Sequence, residues 1–113
     1  MPLDPTVKAL FEKMPQLADF RFWAMTVPDA RAAFRALCLM GSPADIPIGK
    51  TEDKEFAGPA GPLKARIYTP VAAGGDALPA IVFYHGGGFV LGDLDCYDPL
   101  ARALANESGC RVI

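Results

Sequence analysis

The chain has 113 residues, of which 51% are hydrophobic, and its formal net charge is −2. This length suits one ordinary domain, and the composition predicts a packed core rather than a disordered segment. Acidic and basic residues are interspersed, which excludes a basic nucleic-acid-binding face and a like-charge interaction tail.

The N-terminal segment does not have the pattern of a targeting sequence. Asp4, Lys8 and Glu12 interrupt the apolar run that a secretory signal would need. No window of the chain approaches the ~18 apolar residues of a membrane span. The three cysteines are odd in number and have neither CxxC spacing nor companion histidines, so we expect reduced thiols and no zinc site. These features predict a cytoplasmic protein without a metal or cofactor.

Two stretches near the N-terminus have apolar residues at helical spacing. The first predicts a helix over residues 5–14, with Asp4 as its cap and Pro15 at its end. The second predicts a helix that begins near Pro28 and ends at Gly41. The predicted apolar faces are Val7, Leu10, Phe11 and Met14 in the first helix, and Ala30, Ala33, Phe34, Leu37 and Met40 in the second.

After a proline-rich connector at residues 42–51, the apolar period changes to that of strands. Residues 52–58 and 63–69 are predicted strands, and the Gly/Pro turn between them predicts an antiparallel hairpin. Residues 80–84 form a continuous apolar run, the pattern of a strand covered on both faces of a sheet.

The last part of the chain has the pattern of a strand–helix–strand unit. We predict a helix over residues 97–108, with Asp98 as its cap and Leu100, Ala103 and Leu104 facing inward. A strand is expected to begin at Cys110, parallel to the strand at 80–84 and joined to it by a right-handed crossover. The predicted class is therefore α/β, with a helical cap over residues 1–45 and the start of the core over residues 46–113.

A glycine-rich turn directly follows the apolar strand, in the segment AIVFYHGGGFVLG at residues 80–92. Parallel sheets place their ligands at the carboxyl ends of their strands. Three successive glycines lack Cβ atoms, so backbone N–H groups are able to converge on one point and a ligand is able to approach them closely. Convergent N–H groups bind an oxyanion such as a tetrahedral acyl intermediate.

His85-Gly86-Gly87-Gly88, following a buried strand, resembles the HGGG motif of the hormone-sensitive-lipase family of esterases. The segments MPLDPTVKAL at the start and DARAAFRAL at 29–37 resemble the N-terminal cap of its bacterial members. The resemblance implies an α/β-hydrolase fold that hydrolyses short- to medium-chain acyl esters. It also implies site roles: Gly87 and Gly88 donate the oxyanion-hole N–H groups, and Gly86 and His85 support the loop. Apart from the resemblance, the aromatic residues Phe89, Phe20, Phe22 and Trp23 are candidates for substrate contact.

The chain has no G-x-S-x-G nucleophile motif. Ser42 and Ser108 do not fit that motif, and His85 is the single histidine. A Ser–His–Asp triad is therefore not available in these 113 residues. The last residues, 109–113, have the pattern of a buried strand that is just starting. We expect a C-terminal part of the same protein to carry the serine, the aspartate and the histidine, and we expect the 113-residue chain alone to be inactive.

Several alternatives stay open from the sequence alone. The same fold also serves as a non-catalytic small-molecule receptor, and a short chain of this kind could act only as a folding or interaction fragment. The three glycines could form a plain tight turn, and the aromatic residues near Trp23 could be packing between cap and core. For Asp93, Asp95 and Asp98 we expect one helix cap and two solvated side chains rather than a cation site, and for Cys96 a small apolar filler.

Overall fold

The computed structural model describes residues 2–13, 21–43, 45–75 and 77–113. In this part of the chain, the elements follow the predicted order of helix, helix, hairpin, strand, helix and strand, with a short 3₁₀ helix at Phe22–Ala24. The helices are α1 (Pro5–Lys13), α2 (Val27–Gly41) and α3 (Asp98–Ser108), and the strands are β1 (Lys50–Phe56), β2 (Leu63–Thr69), β3 (Ala80–Ile81) and β4 (Arg111–Val112).

Both N-terminal helices begin at capping residues. The Asp4 carboxylate accepts the backbone N–H of Thr6 at 2.8 Å, which confirms Asp4 as the cap of α1. The Thr26 hydroxyl accepts the N–H of Asp29 at 3.4 Å and caps α2, which ends at Gly41 as predicted. The predicted apolar face of α2 is correct at Ala30, which is buried, but wrong at its end, where Met40 is 64% exposed. Val7, Leu10 and Phe11 of α1 are also exposed.

Strands β1 and β2 form the predicted antiparallel hairpin. Their register runs from Lys50 opposite Thr69 to Phe56 opposite Leu63. Strand β1 thus lies two residues earlier than the predicted 52–58. The cause is the turn, because the N–H of Gly61 donates to the carbonyl of Gly58 at 3.2 Å and this closed turn removes residues 57 and 58 from the ladder.

The hairpin continues into a four-stranded mixed sheet of order β1-β2-β4-β3. Val112 of β4 is antiparallel to Tyr68 of β2 and parallel to Ile81 of β3. Helix α3 therefore connects two parallel neighbours, which confirms the predicted strand–helix–strand unit. In the described residues β3 is an edge strand that ends at Ile81, so it is shorter than the predicted strand at 80–84. Val82 and Tyr84, which follow it, are 56% and 86% exposed, so the expected cover on both faces is incomplete here.

Helix α3 packs on the sheet through small residues. Ala101 and Ala105 are 4% and 0% exposed and form the buried core with Tyr68 and Val112. The predicted inward face is therefore wrong at Leu100, which is 52% exposed. Alanines at i and i+4 let the helix axis approach the sheet closely, so the small side chains take the central stripe and the larger leucine lies outside it.

Candidate functional site

The parallel pair β3–β4 delivers the chain to the glycine-rich turn. The N–H of Ile113 donates to Ile81 at 2.9 Å, and the N–H of Phe83 donates to Ile113 at 2.8 Å. The ladder thus extends to Phe83, two residues before the segment that we call the glycine loop, residues 85–92. This loop therefore starts at the carboxyl end of a parallel strand, where α/β folds hold their ligands.

A tight turn in the glycine loop makes glycine necessary at position 87. The N–H groups of Val90 and Leu91 both donate to the carbonyl of Gly87, at 3.1 and 2.9 Å. Gly87 has φ +127°, and a Cβ there would lie 2.0 Å from the carbonyl oxygen of Leu91. A side chain at this position would collide with backbone, so the turn exists in this form because residue 87 has none.

The rings of His85 and Tyr97 support the start of the loop. They stack with centroids 4.9 Å apart and an interplanar angle of 19°. The carbonyl oxygen of Gly86 lies 2.7 Å from His85 Nδ1 and accepts the Tyr97 hydroxyl at 3.2 Å. A Cβ at Gly92 would lie 2.9 Å from the Tyr97 ring and 3.0 Å from His85 Nδ1, so the far end of the loop also needs glycine. His85 is thus engaged within the loop, and Tyr97 is a supporting residue that the sequence analysis missed.

The loop presents unused backbone donors to an open cavity. Among the described residues, no acceptor pairs with the backbone N–H of Gly87 or Gly88. Residues 85–92 and Arg31 line a cavity of about 300 Å³. Phe89 also lines it, but its ring is fully exposed and its φ is +62°, a left-handed conformation that is uncommon for a residue with a side chain. A cavity with free N–H donors is suited to an anionic group.

A second, more apolar cavity of about 220 Å³ lies beside the first. Phe22 and Trp23, both predicted substrate contacts, line it together with Gly87, so the structure brings these predicted residues together. Phe20, the other predicted contact in this segment, lies outside the described residues. The remaining lining residues come from the start of α2 and from the end of the glycine loop: Met25, Val27, Ala30, Val90 and Leu91.

Charged side chains link α2 to the segment after the glycine loop. Arg35 of α2 binds the carboxylates of Asp93 and Asp95, and Asp93 also accepts the backbone N–H of Cys96 at 2.9 Å. Both aspartates keep about two-fifths of their side-chain surface exposed, at 41% and 40%, so they are solvated as expected but are also paired with Arg35. Hydrogen bonds from Arg35 and then from Arg66 lower the pKa of Asp95. This link fixes one end of the loop against α2.

Asp98 joins the hairpin to α3. Its carboxylate accepts the Tyr68 hydroxyl at 2.9 Å and Arg66 Nη1 at 3.2 Å, and it also pairs with Arg102. The prediction that Asp98 caps α3 is wrong, since Tyr97 is the N-cap residue and Asp98 lies in the first turn. Burial acts to raise the pKa of Asp98, but the hydrogen bonds from Arg102, Tyr68 and Arg66 outweigh it and lower that pKa. Arg102 lies four residues further along α3 and is a local partner, whereas Arg66 and Tyr68 come from β2 and could not be predicted from the sequence around Asp98.

The neutral forms of two buried groups are favoured near the loop. Burial, followed by the hydrogen bond to Asp98, raises the pKa of Tyr68 to about 12. Burial also raises the pKa of the Cys96 thiol to about 12. A thiol with this pKa is not a nucleophile near neutral pH, and Cys96 is 7% exposed, which agrees with the predicted role of apolar filler.

The described residues contain no group of three metal-binding side chains close enough to hold a metal ion. None of the helices in this part of the chain combines the length and the apolar content needed to cross a bilayer. Ser42, directly after α2, and Ser108, the last residue of α3, donate to the carbonyl oxygens of Cys38 and Leu104, four residues earlier in the chain, and neither hydroxyl pairs with His85. The arrangement thus offers an anion-binding loop and an apolar cavity without a serine–histidine pair.

Comparison with known proteins identifies the fold. A family model described as the alpha/beta hydrolase fold matches residues 81–113. The carboxylic ester hydrolase LipN of Mycobacterium tuberculosis is 43% identical over 98% of this chain and 29% of its own length. The solved esterase of Pyrobaculum calidifontis is 38% identical with a TM-score of 0.81, over 99% of this chain and 35% of that one. The ester hydrolase EH1AB1 from the Lake Arreo metagenome was solved with a derivative of bipyridine phosphonate. It is 29% identical with a TM-score of 0.88, over 98% of this chain and 36% of that one.

These matches confirm the expected α/β-hydrolase fold and the resemblance to esterases. The chain spans about a third of the length of these relatives. The part of the fold that it covers contains the helices α1 and α2, the hairpin, the glycine loop and the first parallel crossover.

Proposed function

We propose that this chain, which has the fold of the first third of an α/β-hydrolase esterase, belongs to a protein that hydrolyses carboxylic esters of short- to medium-chain acids. In this proposal residues 1–45 form the cap and residues 46–113 the start of the catalytic core. The glycine loop supplies the oxyanion hole. The serine nucleophile, the aspartate and the histidine lie in another part of the complete protein.

One observation carries the proposal: two backbone N–H groups, of Gly87 and Gly88, have no acceptor among the described residues and lie at the carboxyl end of a parallel strand. When a serine oxygen attacks an ester carbonyl, negative charge develops on the carbonyl oxygen. Donors that are already oriented stabilise that charge without reorganisation, and the loss of one such donor costs on the order of 10²–10³ in kcat. The turn at Gly87 and the support of Gly86 by His85 and Tyr97 hold these donors in place.

The neighbouring apolar cavity supports an acyl substrate. Phe22, Trp23 and Gly87 border a space of about 220 Å³, below the ~300–1,000 Å³ of pockets for drug-sized ligands. An acyl chain placed there would lie beside the N–H of Gly87, with its carbonyl at the glycine loop. The small volume favours short and medium chains. In this proposal the acyl group lies in the apolar cavity and the reacting carbonyl lies over the glycine loop.

The relatives support the same reaction class. One solved relative is an ester hydrolase with a bound phosphonate derivative, a compound class with tetrahedral phosphorus. The tetrahedral intermediate of ester hydrolysis has the same shape and also carries an oxyanion. We therefore expect the complete protein to react with an activated alkyl phosphonate.

The test is a direct one on the complete protein. We expect hydrolysis of 4-nitrophenyl acetate, butyrate and octanoate, with a release burst or steady turnover, and stoichiometric inactivation by a 4-nitrophenyl alkyl phosphonate. Intact mass and peptide mapping should place the phosphonyl group on a serine outside residues 1–113. Binding of the esters without turnover or labelling would contradict the proposal and indicate a receptor.

A further inference from the structure

Arg31 is attached to the glycine loop in a way that neither the motif nor the proposed reaction requires. It projects from α2, and its Nε donates to the carbonyl oxygen of Val90 at 2.7 Å. Val90 is part of the turn closed on Gly87. This hydrogen bond uses one side of the guanidinium and holds the group at the wall of the 300 Å³ cavity.

The charge of Arg31 is not neutralised by the described residues. Arg35, one turn further along α2, binds Asp93 and Asp95, but Arg31 has no ion pair in this part of the chain. Its Nη groups therefore keep their hydrogen-bonding capacity. They form a planar pair of donors, which matches the two oxygens of a carboxylate.

Arg31 is also the single side chain with a fixed charge among the described residues that line this cavity. The other lining residues are His85, glycines and apolar residues of the loop. One unpaired cation in the wall of a cavity favours ligands of the opposite charge. A carboxylate on the ligand would gain a partner there, and an ammonium group would meet a like charge.

We propose that Arg31 is a binding residue that selects ester substrates carrying a carboxylate a few bonds from the ester carbonyl. This inference rests on the proposed esterase function and deepens it. The carbonyl lies at the glycine loop. An acyl chain that ends in a carboxylate lies in the first cavity, where the carboxylate pairs with the Nη atoms of Arg31, rather than in the apolar cavity. Because Arg31 is exposed, solvent screens the pair, and we expect a preference of about 2- to 5-fold rather than absolute selection.

The test compares two substrates of equal length in the complete protein: 4-nitrophenyl hexanoate and mono-4-nitrophenyl adipate. They differ in a terminal methyl and a terminal carboxylate. We expect Arg31→Gln to lower the ratio of kcat/KM for the adipate to kcat/KM for the hexanoate by about 2- to 5-fold, chiefly through KM for the adipate. Arg31→Lys should keep most of the ratio, since it keeps the charge. Arg21→Gln is the matched control, because it removes an exposed arginine that lines neither cavity.

A binding measurement separates the failure of this inference from the failure of the esterase function. Adipic acid monoamide and hexanamide are not activated esters, and their affinities are measurable by NMR titration without turnover. We expect the monoamide of adipic acid to bind more tightly than hexanamide, and Arg31→Gln to remove the difference. Equal ratios in the native protein and in Arg31→Gln, in turnover and in binding, would overturn the role of Arg31. Hydrolysis of neither ester, with the binding difference intact, would overturn the esterase function alone.

Discussion

Replacing Gly87 by alanine is the perturbation that tests the glycine loop most sharply. A Cβ at this position would lie 2.0 Å from the carbonyl oxygen of Leu91, whereas real contacts of this kind are not shorter than 3.0 Å. Either the peptide of Gly87 or that of Leu91 must therefore move by about 1 Å. The positive φ of +127° adds strain, because residues with side chains rarely adopt it.

The size of the effect follows from this displacement. A misplacement of about 1 Å in a catalytic array costs about 10²-fold in rate. The loss of one oxyanion donor costs on the order of 10²–10³ in kcat. Both estimates agree on a fall of at least about 100-fold for Gly87→Ala. A Cβ at Gly88 would meet nothing within 4 Å, although its φ of +61° also makes a side chain there strained. Because no backbone atom has to move aside, Gly88→Ala should act more on KM and less on kcat than Gly87→Ala.

The assay is steady-state hydrolysis of 4-nitrophenyl butyrate by the complete protein and its two variants. Circular dichroism and thermal melting establish that Gly87→Ala is folded, and Gly74→Ala, which has open space around it, controls for the general cost of the substitution. We expect kcat to fall at least about 100-fold in Gly87→Ala with KM changed by less than about 5-fold. A folded Gly87→Ala variant with kcat within about 5-fold of the native value would refute the assignment of Gly87 as an oxyanion donor.

Two further predictions concern the complete protein, and a third concerns the isolated 113-residue chain. Arg66→Gln should lower the free energy of unfolding by about 1–3 kcal/mol in urea denaturation, because Arg66 is only 19% exposed and its removal leaves the Asp98 carboxylate with one charged partner fewer. The control Lys54→Gln removes an exposed charge and should change the free energy of unfolding by less than about 0.5 kcal/mol. Equal effects of the two substitutions would contradict the reasoning. The pKa values of Tyr68 and Cys96 are both raised to about 12, so the folded state favours their neutral forms, and the stability that this contributes is fully present below the ordinary pKa values of 10.0 and 9.0 and is lost as the pH rises through 12. The melting temperature should therefore fall between about pH 9 and 12, and it should fall less steeply in Tyr68→Phe. An unchanged slope in that variant would count against the contribution of Tyr68. The isolated 113-residue chain should form no acyl-enzyme with 4-nitrophenyl butyrate, since its serines bind helix carbonyls and its single histidine supports the loop, and a stoichiometric burst from that chain would disprove this.

The sequence by itself predicted those features that depend on neighbouring residues. Alternation and the Gly/Pro turn predicted the hairpin, and helical spacing with capping residues predicted α1 and α2. Three glycines after an apolar strand predicted the loop, because a turn with positive φ and no room for Cβ must be built from glycine. Each of these patterns is a local property of backbone conformation and is therefore written in a short stretch of sequence.

The tertiary structure decided which residues meet across the chain. Periodicity placed Leu100 on the inner face of α3, but the close approach of helix to sheet selected Ala101 and Ala105. Composition suggested solvated aspartates but not their ion pairs, since Arg35 lies opposite Asp93 and Asp95 only after α2 has packed beside the loop. Electrostatic partners and the shape of a cavity depend on distances between atoms far apart in sequence, and no local pattern encodes those distances. For this reason the glycine loop could be predicted from its own residues, whereas the unpaired charge of Arg31 beside it became visible only in the folded chain.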